Sequence, residues 1–474
     1  MRTIRGYGFS AALVFLLLLH AMNLSAQDDS TRAAQSPQGD TAGSRDSSGA
    51  GVSGRSLIAP LAAATRRDEP VPAYAGSAEV LGGPSWLLIG LEERIRLEAR
   101  ENNYRQGMSD DSLVLSRARI FFGTEPGSTP LGFALEIQDS RKFRSAFPAG
   151  PRDTNEFDLL RGAVVLRLGR AAAGGRSLTV EAGRHSFDLA DRRLLIRNRF
   201  GNTTNAFDGL RIRWEGEPGA PALEGFALYP VQRKVGEPDT ADRGRRIFGV
   251  AAAWQAPDHP VVVEPYYLGL RRDGASGTLS TAGTHVYGRI PETPFDYDFT
   301  GALQWGSGHR AFALHGELGH TFEGRMRPRL AGWISYATGD DASTVSRDER
   351  FDSLFGSAHS PYGYSDFFSR QNLVNPVMHL SLALLPRMQF QFFYRVFWLA
   401  EATDAFVRAG IQDPTGESGT HLGQEIDLSL RCPLHRLLDI EFKYGHFFPG
   451  TFLDSMGAAL HGNAVMVNLT TRLF

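Results

Sequence analysis

Paired carboxylates and histidine–carboxylate neighbours are where this chain could do chemistry. Glu425 and Asp427 stand two residues apart on one side of an alternating segment. Two carboxyl groups so placed can approach the separation used in glycoside hydrolysis. His315 and Glu317 share a face in the same way and offer two donors to a metal, with no evident third ligand. Asp340-Asp341 and Asp348-Glu349 are acidic pairs of the kind that hold calcium in loops, although solvated acidic turns look the same. No Gly-x-Ser-x-Gly elbow announces a serine nucleophile. A charge pair that satisfies itself explains each case more simply than catalysis, so no catalytic residue, metal or cofactor is assigned.

A second set is larger. Arg94, Arg96, Arg117, Arg119, Arg161, Arg167, Arg211 and Arg213 recur on the charged side of alternating segments, with Arg184, Arg192 and Arg193 nearby. Glu92, Glu98, Glu136, Glu425, Asp427 and Glu441 fall on the same side. If that side lines water, the arginines raise the local concentration of anionic solutes such as uronate chains. If the acids and bases neutralise one another, the same residues form a structural network. The candidate pathway residues are Arg94, Arg96, Arg117, Arg119, Glu136, Arg161, Arg184, Arg192, Arg211, Arg213, Glu425 and Asp427.

The elements that position these residues are read from composition and period. Lys and Arg number 50 against 52 Asp and Glu, which lacks the basic field that nucleic-acid binding requires. The single cysteine, Cys432, excludes an intrachain disulfide and any cysteine-rich metal site. Plentiful Gly and 31 Phe suit strands, tight turns and aromatic belts. Arg2 and Arg5, the apolar run from Ala11 to Leu19 and the small pair Ser25-Ala26 make residues 1–26 a secretory signal peptide. That run is too short for a spanning helix, and no later stretch approaches the roughly 20 residues needed. Residues 27–84 lack periodicity and read as a disordered periplasmic linker, too short and too polar to be a large plug domain.

From 85 to 474 a period of two takes over. Leu210-Arg211-Ile212-Arg213-Trp214-Glu215 alternates apolar and polar residues cleanly, and Ile426, Leu428 and Leu430 oppose Glu425, Asp427 and Ser429. No helical segment is available to cover the apolar sides. Lipid outside and water inside is the arrangement that repeats such faces on every strand. The expected fold class is all-β, a transmembrane antiparallel barrel of about 18 strands. The segments are 87–100, 111–124, 130–142, 156–169, 177–187, 206–216, 222–233, 245–256, 259–272 and 283–290. They continue with 295–307, 309–323, 327–340, 374–384, 387–400, 420–431, 436–449 and 462–474. Gaps after even-numbered segments are short and most odd ones long, as periplasmic turns and external loops should be. The tight connection from Gly306 to His309 breaks that rule and leaves the count open by one hairpin. The segment 341–373 is expected either to plug the bore or to remain outside. Trp86, Trp214, Trp254, Trp305 and Trp398 fall near segment ends, where interfacial girdles sit. The chain ends in Phe474, with Arg472 where an apolar residue is commoner.

Several stretches resemble the alginate export family of outer-membrane porins. They are Gly183-Arg184-His185, Arg192-Arg193-Leu194-Leu195, and Asn205-Ala206-Phe207-Asp208-Gly209-Leu210. Others are Tyr336-Ala337-Thr338-Gly339-Asp340-Asp341, Gly423-Gln424-Glu425-Ile426-Asp427-Leu428, and Tyr444-Gly445-His446-Phe447-Phe448-Pro449-Gly450. His185 stands where the family has Gln. The resemblance spans most of 87–474. It implies an 18-stranded monomeric barrel but not alginate itself as the solute. The expected function is an outer-membrane channel passing or exporting solutes, with anionic oligo- or polysaccharide as a candidate, without a cofactor. Its expected partners are outer-membrane lipid, the solute, and the barrel assembly machinery acting on the last strand. The alternatives are a barrel enzyme hydrolysing glycan or lipid, and a secreted soluble glycan-binding β-protein.

Overall fold

The computed structural model describes residues 76–78 and 82–473, apart from 125–128, 170–174, 190, 218, 256–259, 307, 386 and 436 and the side chains of 76, 77 and 360. The signal peptide, nearly all of the 27–84 segment and Phe474 lie outside the described residues.

Eighteen strands form the wall. They are Leu87–Glu101 (β1), Asp111–Thr124 (β2), Leu131–Phe143 (β3), Asn155–Gly169 (β4), Ser177–His185 (β5) and Phe207–Glu215 (β6). Next come Ala222–Gln232 (β7), Arg245–Gln255 (β8), Val261–Arg272 (β9), Thr278–Arg289 (β10), Phe295–Gly306 (β11) and His309–Thr321 (β12). The last are Arg329–Ala337 (β13), Leu373–Leu385 (β14), Met388–Trp398 (β15), His421–His435 (β16), Leu438–Pro449 (β17) and Gly462–Leu473 (β18). Each pairs antiparallel with the next, and β1 also pairs with β18 from Leu91↔Leu473 to Glu101↔Asn463, which closes the sheet. Closure leaves no sheet edge in lipid, where an unpaired backbone group costs several kcal/mol. Where β18 ends, Gly76 and Ser77 continue beside β1 opposite Ile89 and Leu88.

The structure agrees with the expected segments closely. β10 is the largest shift, starting at Thr278 rather than 283. Thr278-Leu279-Ser280-Thr281-Ala282 has too little polarity contrast to show a period. It is extended because neighbours on both sides pair it, Leu270 with Leu279 and Trp305 with Ser280. The tight hairpin is real: Gly306 pairs with His309, so no further strand lies between them.

The burial pattern is inverted relative to a water-soluble domain. Along β1, Glu92, Arg94, Arg96, Glu98 and Arg100 are buried, while Ile95 and Leu97 are 42% and 51% exposed. Trp86, Trp254 and Trp305 are exposed near the rims. Cys432 is half-buried. One feature departs from the expected ionic interior. The inward faces of β7 to β10 carry Phe226, Leu228, Ile247, Tyr266, Leu268, Leu270 and Leu279, all buried in one apolar cluster inside the barrel.

On this geometry Leu314, near the middle of β12 and 51% exposed, faces acyl chains. Leu314→Arg is expected to cost about 2–4 kcal/mol of folding stability in lipid vesicles, read from urea-dependent unfolding. An unchanged midpoint would contradict the lipid-facing assignment.

Candidate functional site

The inside of the barrel is furnished by two long connections that turn inward. Residues 186–206 join β5 to β6. Their apolar residues, Phe187, Leu189, Leu194 and Leu195, pack onto the lumenal cluster of β7 to β10. Their polar stretch lies against β1 to β3. Arg94 donates to the carbonyl oxygens of Arg199 (3.1 Å), Phe200 (3.0 Å) and Gly201 (3.0 Å). Arg96 donates to that of Phe200 at 2.8 Å. Arg117 donates to those of Arg199 and Gly201, both at 2.7 Å, and to Glu92 at 2.9 Å. Arg119 holds Gln138 at 2.9 Å and the Thr204 hydroxyl. Glu136 pairs with Arg197 from the loop. Arg472, the unusual residue of β18, points inward and meets Glu92 at 3.2 Å.

The second connection, 338–372, joins β13 to β14. Asp340 accepts from the Glu349 amide at 2.9 Å, and the 342–349 stretch stays largely exposed at the rim. Arg350 pairs there with Asp404. From Phe351 onward the chain enters the bore. Glu425 accepts the Ser365 amide at 3.1 Å, and Asp427 accepts the Tyr364 amide at 3.2 Å. Asp427 also pairs with Arg395 at 2.8 Å, and Arg395 reaches the Pro361 carbonyl at 3.1 Å. Arg100 donates to the Ser365 carbonyl at 2.6 Å and meets Asp366 at 3.0 Å. Gly363 has φ +102°, and a Cβ there would lie 2.5 Å from the Glu425 carboxylate, so glycine is required.

The loops meet in the lumen. The Phe355 amide donates to the Leu194 carbonyl at 2.8 Å, and the Phe200 and His359 rings stack. His359 holds Asp366 at 2.8 Å. Burial works against the Asp366 charge. The His359 imidazole, helped by Arg100 and Arg408, outweighs it and holds the carboxyl well below the usual carboxylate range.

Arg370, near the end of the second loop, is 1% exposed, and none of its three guanidinium nitrogens has a hydrogen-bond partner. It lies 5.4 Å over the Phe351 ring. Its positive charge and that of Arg193 hold the Asp191 carboxyl below its ordinary range despite burial.

The other candidate residues are spread around the wall. Arg161 lies 5.6 Å from the Phe121 ring. Arg211 is bound to Glu224 by two bonds of 2.8 Å, and Arg213 is 3.5 Å from Glu181 and better exposed. Arg192 sits in the turn of the first loop at φ +62°. Arg184 is a correction. It stands on the outer face of β5, since Glu181, Gly183 and His185 alternate inward, and it pairs with outward Asp208 at 2.7 Å. His315 bonds Ser335 at 2.9 Å and Glu317 pairs with Arg329 at 2.7 Å, so each is engaged within the wall.

Sequence reasoning missed Arg197, Asn202, Asp366 and Arg370, which lie in loops without period. Arg100 and Gln138 share the inward parity of residues already singled out on their strands and were within its reach, whereas no inward residue had been marked on the strand of Arg395.

A closed wall, inward loops and charged lumen together are a channel's architecture, and comparison with known proteins agrees. The alginate export family's profile matches residues 85–466. The chain belongs to the alginate export family. This family member is an outer-membrane β-barrel of the porin type. Its fold is similar to that of the outer membrane protein OprD from Pseudomonas aeruginosa, with 12% identity and a TM-score of 0.55 over 82% of this chain and 93% of that one. OpdK of the same organism gives 11% and 0.56 over 81% and 99%. Acinetobacter baumannii OccAB1 gives 14% and 0.54 over 82% and 97%. No curated protein matches the chain by sequence.

For this alginate export barrel, Arg117→Ala is expected to cost about 1.5–3 kcal/mol, because it removes charge-assisted bonds to Glu92 and two loop carbonyls, while Arg119 and Arg472 still hold Glu92 and Arg94 still holds the carbonyls. Urea unfolding reads the stability, and noisier, larger single-channel currents would report the freed loop. The depressed Asp366 carboxyl gives docking that is complete above the ordinary carboxylate pKa and is lost only as pH falls through its own lower value. Acidification from pH 7 to about 4 should therefore leave the second loop docked. Asp366→Asn should loosen it at every pH, seen as increased proteolysis of 351–372.

Proposed function

We propose that this outer-membrane channel is passive, works as a monomer in lipid, and favours anionic solutes, carboxylated oligosaccharides among them, through a bore narrowed by the two inward loops. The assembly machinery would recognise β18. The observation that carries the solute preference is Arg370, a buried guanidinium without a bonded partner where the loops meet. A buried guanidinium that makes no hydrogen bond is costly even with the Asp191 carboxylate nearby, and an anion passing beside it recovers part of that cost. Arg213 and Arg161 extend positive charge along the wall. The arginines of β1 and β2 serve differently, holding the first loop rather than contacting solute.

A hydrolase reading has less support. Glu425 and Asp427 are fully buried and accept backbone amides, so neither is placed to reach a glycosidic bond.

Planar-bilayer recording under a salt gradient tests the proposal. The wild type should prefer anions, and Arg370→Gln with Arg213→Gln should lower the anion-to-cation permeability ratio by roughly two-fold or more. Reversal potentials unchanged in the double variant would exclude those side chains from permeation. Absence of any conductance, with turnover of glycan or lipid lost in Glu425→Gln, would favour the enzyme.

A further inference from the structure

At the end of the barrel that carries the long connections, two histidines face each other on the outside of the wall. His446 projects outward from β17 between Tyr444 and Phe448. His461 ends the 450–461 connection, just before β18. His446 Nε2 and His461 Nδ1 are 3.4 Å apart. That is long for a hydrogen bond from a ring nitrogen, which commonly spans about 2.7–3.2 Å. It matches two lone pairs converging on one tetrahedral ion, since Zn–N bonds of about 2.0–2.1 Å at a tetrahedral angle span about 3.3–3.4 Å.

The protonation of His446 follows from its neighbours. The Asn463 side-chain nitrogen lies 3.0 Å from the Glu101 carboxylate. An ionised carboxylate only accepts, so the amide must turn its NH2 group to Glu101 and its oxygen to His446. That oxygen is 2.7 Å from His446 Nδ1 and also accepts from the Tyr444 hydroxyl at 3.1 Å. His446 therefore carries its proton on Nδ1 and presents a bare lone pair at Nε2, towards His461. Metal-binding histidines are held in this way through the ring nitrogen that does not ligate.

We propose that His446 and His461 form a two-histidine site for a borderline divalent transition ion, zinc, copper or nickel, with water completing the shell. Imidazole nitrogen selects these ions over calcium and magnesium. Among the described residues no group of three His, Cys, Asp or Glu side chains gathers at metal distance, so this is an exchangeable surface site rather than a structural one. His461 is exposed and His446 half-buried, so an ion can enter from outside. The bound ion ties the end of the 450–461 connection to β17. That connection sends Phe452 and Leu453, both fully buried, into the apolar cluster over the bore.

The test uses the intact barrel in detergent without a polyhistidine tag, titrated calorimetrically with Zn²⁺ and examined by electron paramagnetic resonance with Cu²⁺. The expected result is one equivalent bound, with hyperfine coupling from two imidazoles. His446→Gln or His461→Gln should weaken binding at least about ten-fold, because two ligands share the ion. Asn463 is a positioning residue. Asn463→Leu should weaken binding roughly ten-fold while both imidazole couplings remain. Heat-modifiable gel mobility confirms that each variant is folded. Wild-type affinity in the His446→Gln/His461→Gln double variant, or no binding by the wild type, would overturn the site.

Discussion

Backbone polar groups in hydrocarbon must be bonded within the protein, and this molecule is organised around that demand. The β1–β18 seam answers it, since every strand then has two neighbours. Closure forces each side chain to one of two destinations by parity. Glu92, Arg94 and Arg96 go in; Ile95 and Leu97 go out. The inverted burial follows from the seam.

The same demand governs the loops. A connection that enters a barrel takes its own carbonyls and amides out of bulk water. The 199–201 carbonyls find donors on Arg94, Arg96 and Arg117. The 364 and 365 amides find acceptors on Asp427 and Glu425. Charge-assisted bonds of this kind contribute about 1.5–3 kcal/mol each, enough to hold a loop whose apolar side is already packed. The charged lining and the inward loops are therefore two halves of one network. Arg370 is buried among the loops yet makes no hydrogen bond in that network.

Much of this was legible in residue order. Strong contrast between neighbours, as in β1 and β6, marked strands and faces almost to the residue. Where contrast fades, as in Thr278–Ala282, the strand exists because its neighbours pair it, and its start could not be seen. Arg184 shows the limit of parity. A glycine and a histidine beside it give no contrast from which to choose a side, so its charge alone suggests the lumen and misleads. The apolar interior of β7 to β10 escaped for a related reason: strands apolar on both sides do not announce that loops cover one of them.

Alternation determined the barrel, its strand number to within one hairpin and the charged lining of its first strands, because period and polarity are local properties. Which inward charges bond loop backbone and which do not was decided only in three dimensions. Arg94 and Arg370 are the same side chain chemically. One lies opposite three carbonyls contributed from more than 100 positions away, and the other opposite none. Long-range packing sets that difference, and no local pattern encodes it.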